Sequence, residues 1–215
     1  MTKLDTAWIL SNSPGEISNW MQPICHALAK RFPDIKIEIF LSACLYASGR
    51  EAEYAKRFPN VHRVFGPKES TKYYLGKAVP EEIRPGESTR GAIIYLGGEI
   101  DWAVRLHKQA PSFQLIGYSD KKGYTDSRFQ RLYNKYKDGD LMASHCLQYQ
   151  AKNRGTILQS LGLPNKPYCL LLTGSRPRFF KPLYPFMAKV AQSCIDKKAP
   201  FTPLLVTSPF ISKEL

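Results

Sequence analysis

Three short segments hold the side chains best equipped for chemistry: SNSPGE at 11–16, YLGGEID at 95–101 and LLLTGSR at 170–176. In each, small residues follow an apolar run and a charged side chain stands just beyond them. A carboxylate in a partly dry setting can take the proton of a hydroxyl. Glu99, directly after Gly97 and Gly98, is the candidate for that role, with Asp101 two residues on. Glu16 suits sugar hydroxyls better than phosphate, because its charge repels an anion that a helix N-terminus would otherwise attract. Ser13 and Gly15 stand beside it, and Gly15 lets a ligand approach the backbone closely. The third segment has the opposite character. The amides of Gly174 and Ser175 with the guanidinium of Arg176 suit a diphosphate. Each segment also has a plainer reading: Ser11 or Ser13 as a helix cap, Glu16 and Glu99 as acids complementing a helix dipole, and Arg176 as a solvated arginine in a turn.

Strands and helices alternate around these loops. Thr6–Leu10, Ile35–Leu41, Val61–Phe65, Ala92–Leu96 and Phe113–Tyr118 read as strands, with Asp140–Ala143 as a short sixth. Helices are expected over Glu16–Phe32, Ser48–Phe58 and Glu99–Gln109, and residues 70–90 as a loop with one helical segment. Tyr168–Thr173, a helix from Leu183 to Asp196 and Pro203–Thr207 open a second unit. This alternation predicts an α/β fold, a Rossmann-like, doubly wound and mostly parallel sheet, followed by the beginning of a second Rossmann-like domain. The turn at Gly162–Lys166 places the division between residues 1–163 and 164–215. In such sheets ligands bind beyond the carboxyl ends of the strands, where all three segments fall.

The 215 residues carry a formal net charge of +13 and are 43% hydrophobic, which excludes wholesale disorder and favours an anionic partner. Five scattered cysteines (Cys25, Cys44, Cys146, Cys169 and Cys194) without a C-x-x-C pair argue against a disulfide framework and point to a cytoplasmic setting. No metal site is expected, since His26 and His107 lack partners at ligand spacing, and neighbours such as His145 and Cys146 rarely face each other. No apolar run is long enough to span a bilayer, so any membrane contact is peripheral. Tyr124–Lys137 mixes cations with aromatics and reads as a solvated basic edge, with anionic lipid or nucleic acid as its alternatives.

Taken together, SNSPGE, IIYLGGEID and LLLTGSR followed by the proline-containing Lys181–Pro185 resemble lipid-A-disaccharide synthase and its related proteins, glycosyltransferases of the GT-B fold. The resemblance covers most of the chain in order. It implies an acceptor-binding first domain and a second domain for a UDP-sugar donor. It also implies inverting, metal-independent transfer with no cofactor, and a lipid-linked acceptor drawn from the anionic surface of the inner membrane. Glu99 then matches the family's base, typically an aspartate, and Glu16 matches the glutamate of its first loop. Arg176 matches the arginine of its second-domain turn. Ser13, Gly15, Gly97, Gly98 and Asp101 complete the acceptor side, and Gly174 and Ser175 the donor side. The chain departs from the family in Ile17–Trp20, after the first Gly-Glu pair, so the acceptor need not be the usual acylated glucosamine phosphate.

Residues 164–215 leave room for two strands and one helix, fewer than a doubly wound domain needs, so the donor domain reads as truncated. Two other classes of function therefore stand beside the enzyme. One is an inactive acceptor domain that binds an anionic ligand, and the less favoured one is a basic α/β protein that binds nucleic acid.

Overall fold

A computed structural model describes residues 3–150 and 153–211. It separates into two units, Met1–Ser144 and His145–Leu215, a division earlier in the chain than the turn at Gly162. The first unit runs β1 (Thr6–Ser11), α1 (Pro14–Glu16), a π-helical turn (Ile17–Met21), α2 (Gln22–Arg31), β2 (Lys36–Leu41), α3 (Glu51–Ala55) and β3 (Val61–Phe65). It continues with α4 (Pro67–Tyr74), a 3-10 turn (Glu81–Ile83), β4 (Gly91–Tyr95), α5 (Ile100–His107), β5 (Gln114–Ser119), β6 (Arg131–Asn134), α6 (Lys135–Asp138) and the start of α7 (Leu141–Gln150).

The six strands form one sheet in the order β3-β2-β1-β4-β5-β6, and every pairing is parallel. This is the doubly wound Rossmann arrangement, whose order reverses between β1 and β4. β1 lies at the centre, and Ala7, Trp8, Ile9, Leu10 and Ser11 are all buried, as expected for a parallel strand covered on both sides. On one face the aromatic residues form the main core. Trp8 meets Phe40 at 5.4 Å and Phe113 at 5.3 Å between ring centroids, and Phe40 stacks on Phe65 at 4.7 Å. On the other face Ile17, Met21 and Cys25, spaced one helical turn apart and all buried, go down with Ile9, Ile37 and Ile39. Over β4 and β5 that second face is open. A groove of about 430 Å³ runs there, lined by Ile24, Leu28 and Phe32 on one side and by Ile94, Ile116 and Tyr118 on the sheet.

Most expected elements recur, though α4 starts at Pro67 and the helix expected from Leu183 starts at Pro177, ahead of the expected residues, and three further differences bear on the first unit. The helix after β1 begins at Pro14 and widens into a π turn immediately before α2, next to Pro23, which has no N–H to give to the helical ladder. Residues 141–143 are helical, not a strand, because the Asp140 carboxylate accepts the amides of Met142 and Ala143 at 2.9 and 3.3 Å and so caps α7. The basic stretch Tyr124–Lys137 contains the edge strand β6. Its cations are largely paired: Arg128 with Asp126 and Asp101, Arg131 with Asp138, and Lys135 with Asp140.

In the second unit α8 (Arg154–Ser160) precedes β7 (Tyr168–Leu172), α9 (Pro177–Asp196) and β8 (Thr202–Val206). β7 and β8 pair in parallel across the α9 crossover, a single βαβ unit. Among the described residues no helix is long and apolar enough to cross a membrane.

The start of β4 gives a direct test of the core. A Cβ on Gly91 would lie 2.4 Å from the ring of Phe113, itself 1% exposed against Trp8. Gly91→Ala is therefore expected to destabilise the protein by about 1–3 kcal/mol, as overpacking does. Chemical denaturation checks this, and an unchanged midpoint would show that the ring has room to slide.

Candidate functional site

The reversal of strand order splays the loops after β1 and β4 and leaves a crevice at their carboxyl ends. The loop after β1 closes through a reciprocal capping box. The amide of Glu16 donates to Ser13 Oγ at 3.3 Å, and the amide of Ser13 donates back to Glu16 Oε2 at 3.3 Å. The amide of Asn12 and the hydroxyl of Ser11 donate to the same Oε2, at 3.3 and 3.5 Å. Burial raises the pKa of Glu16 above the ordinary carboxylate value. The bonds from the Ser13 and Asn12 amides oppose that rise, and the nearby Asp120 carboxylate adds to it.

The loop after β4 is built around this carboxylate. A Cβ on Gly97 would sit 2.1 Å from Glu16 Oε2, so any other residue there would have to displace the carboxylate. Gly98 has φ +86°, and a Cβ on it would meet Ser42 Oγ at 2.4 Å. Tyr95 fastens the turn by donating its hydroxyl to the Gly98 carbonyl at 2.6 Å. Burial also raises the pKa of that phenol, helped by the neighbouring charge of Glu16.

These parts enclose a polar cavity of about 200 Å³. Glu16, Gly97, Gly98 and Glu99 form one side of it. The chain leaving β5 forms the other, through Tyr118, Ser119, Asp120, Lys121 and Tyr124. Trp20, one turn beyond Glu16, packs edge-on against Tyr118 at 5.3 Å and closes the end. Tyr118 is shared, since its ring lines both this cavity and the apolar groove.

Of the residues singled out from sequence, Glu16, Gly97, Gly98 and Glu99 meet in this cavity, and Ser13 holds Glu16 in place. Gly15 stands outside it, and a Cβ there would find nothing closer than Ser13 Oγ at 4.0 Å. Asp101 is not brought together with the others. It binds Arg128 at 2.7 Å and lines a separate polar cavity with Arg105 and Lys108. Gly174, Ser175 and Arg176 lie in the second unit, where Gly174 takes φ +86° and Arg176 is the N-cap of α9. Trp20, Tyr95, Tyr118, Asp120, Lys121 and Tyr124 were not singled out. The available signal was position: Ser119 and Asp120 stand at the carboxyl end of β5, where the same crevice rule applies. Among the described residues no group of His, Cys, Asp and Glu is arranged to hold a metal ion.

No family model and no curated protein matches the chain. Among solved structures it is similar to a protein named as a UDP-N-acetylglucosamine 2-epimerase from Listeria monocytogenes, with a TM-score of 0.45 and 13% sequence identity. That match covers 100% of this chain, which spans only 65% of that structure. The fold class rests on the strand order itself.

Two outcomes are expected from this geometry. Gly97→Ala should destabilise the protein by about 1–3 kcal/mol, and by clearly less when Glu16→Ala has emptied the space. A double-mutant cycle by denaturant unfolding measures that coupling. The second concerns pH. Because the folded pKa of Glu16 is raised, its contribution to stability is full at low pH and is lost as pH rises through that value. Glu16→Gln should therefore raise Tm by a few degrees at neutral pH, with the gain shrinking as pH falls toward the ordinary glutamate pKa of about 4.3. Calorimetry across that range checks both sign and trend.

Proposed function

We propose that the chain serves inverting, metal-independent transfer of a sugar from a UDP-sugar to a hydroxyl of a lipid-linked acceptor, as the resemblance to lipid-A-disaccharide synthase implies. One observation carries this reading: a polar cavity with a fixed carboxylate adjoins an apolar groove across a single ring, that of Tyr118. The hydroxylated head of the acceptor occupies the cavity, and its alkyl chain follows the groove of about 430 Å³. Each buried methylene contributes about 0.8 kcal/mol.

The acceptor oxygen attacks the anomeric carbon, the bond from that carbon to the diphosphate breaks, and the hydroxyl proton passes to a carboxylate. Glu99 holds the family's base position, whereas the surroundings favour Glu16. Glu16 is half-buried, held by three donors on one oxygen and made more basic by burial, while Glu99 is exposed at the rim. We assign proton acceptance to Glu16 and hydroxyl binding to Glu99. In the second unit the turn Gly174–Ser175–Arg176, leading into α9, is the proposed holder of the departing diphosphate. Peripheral attachment to an anionic membrane surface follows from the charge of +13 and the lipid acceptor.

The test is acceptor-dependent release of UDP from UDP-sugars in the presence of a membrane-lipid extract. Glu16→Gln is expected to lower kcat at least a hundredfold, and Glu99→Gln to act mainly on KM, within about tenfold. A dead Glu99→Gln with an active Glu16→Gln would return the base role to Glu99. Ligand binding without UDP release would make the chain a binding module and not a transferase.

A further inference from the structure

We infer that the polar cavity selects a ligand head bearing a protonated primary amine, in preference to an N-acylated, phosphorylated or purely hydroxylated one. The inference rests on the sugar-binding reading above and names the class of sugar. Three carboxylates from three different loops face the cavity: Glu16 after β1, Glu99 after β4 and Asp120 after β5. The one cation on its lining, Lys121, has its ammonium 5.8 Å from the centre of the Tyr124 ring, so three acids stand against one cation. The balance facing a ligand is thus negative, in a chain whose total charge is +13.

The remaining walls are aromatic. Trp20, Tyr95, Tyr118 and Tyr124 are among the residues that line the same space. Carboxylates with aromatic faces favour a soft organic cation, because the ring quadrupole and the acids attract the same ammonium group. A phosphate would meet three like charges, and an N-acyl group would remove the cation that the acids receive. Donor supply points the same way. The three N–H and O–H groups that fix Glu16 all go to Oε2, so Oε1 carries none of those bonds. An ammonium group brings three donors. Size sets the scale: about 200 Å³ lies below the 300–1,000 Å³ range of pockets for drug-sized ligands, and so suits one sugar ring and not a nucleotide sugar.

The experiment compares glucosamine, glucose and N-acetylglucosamine by chemical-shift titration of the full chain, at low and moderate salt. Glucosamine is expected to bind at least tenfold more tightly than either of the others, with a preference that shrinks as salt rises. Asp120→Asn, an exposed substitution at the rim, should reduce that preference severalfold, chiefly by weakening glucosamine binding. Equal or tighter binding of glucose or N-acetylglucosamine overturns the amine preference and leaves the sugar-binding reading standing. Failure of all three sugars to perturb a folded chain overturns both.

Discussion

The Glu16 carboxylate lies so close to Gly97 that a single methyl group there would overlap its Oε2 at 2.1 Å. Two loops from different strands therefore share one volume, and the shape of each depends on the other. The β1 loop supplies the acid and fixes it with two backbone amides and a hydroxyl. The β4 loop supplies a surface without side chains, held by the bond from Tyr95 to the Gly98 carbonyl. Most of these restraints come from the main chain, which is already ordered by the sheet. Little side-chain entropy is then lost in holding the acid at the cavity wall.

The two faces of the sheet are unequally finished, and the difference bears on the site. One face is closed by aromatic packing from Phe65 through Phe40 and Trp8 to Phe113, which makes the centre of the sheet rigid. The other is covered by α2 over β1 and β2 but open over β4 and β5. A polar, acid-lined cavity and an apolar trough therefore meet at one edge, and Tyr118 belongs to both. The Tyr118 hydroxyl also accepts the Leu141 amide at 3.3 Å, so the wall between the two regions is anchored at the start of α7.

The parallel sheet, the strand ends and the two glycine turns were legible because buried parallel strands are continuous apolar runs that stop abruptly at small residues. The acid and the glycines of the β1 and β4 loops could be named for that reason. The serine of the capping box was legible too, but its meaning was not. Capping and cavity-lining looked like alternatives for Glu16, and one carboxylate does both. Asp101 misled because position in the chain says nothing about rotation: two residues along a helix turn the side chain by about 200°, toward Arg128. The contribution of the β5 loop was hidden by composition. Asp120 and Tyr124 stand among lysines and arginines, and the pattern reads as a charged edge until Arg128, Arg131 and Lys135 are seen to be paired locally. β6 was missed since RLYN has neither the length nor the apolar content of a strand signal.

β1 and β4 are bonded neighbours in register, Leu10 opposite Tyr95, although most of the first unit's chain separates them. The spacing of the two turns is thus set by inter-strand hydrogen bonds, about 4.8 Å, and not by the polypeptide that connects them. Changes of length in the exposed connections between β2 and β4 that leave Phe65, Tyr73 and Tyr74 in the core would not alter that spacing. A single-residue deletion inside β4 has the opposite outcome: every side chain beyond it would change sides, and the turn that receives Glu16 would point into the aromatic layer.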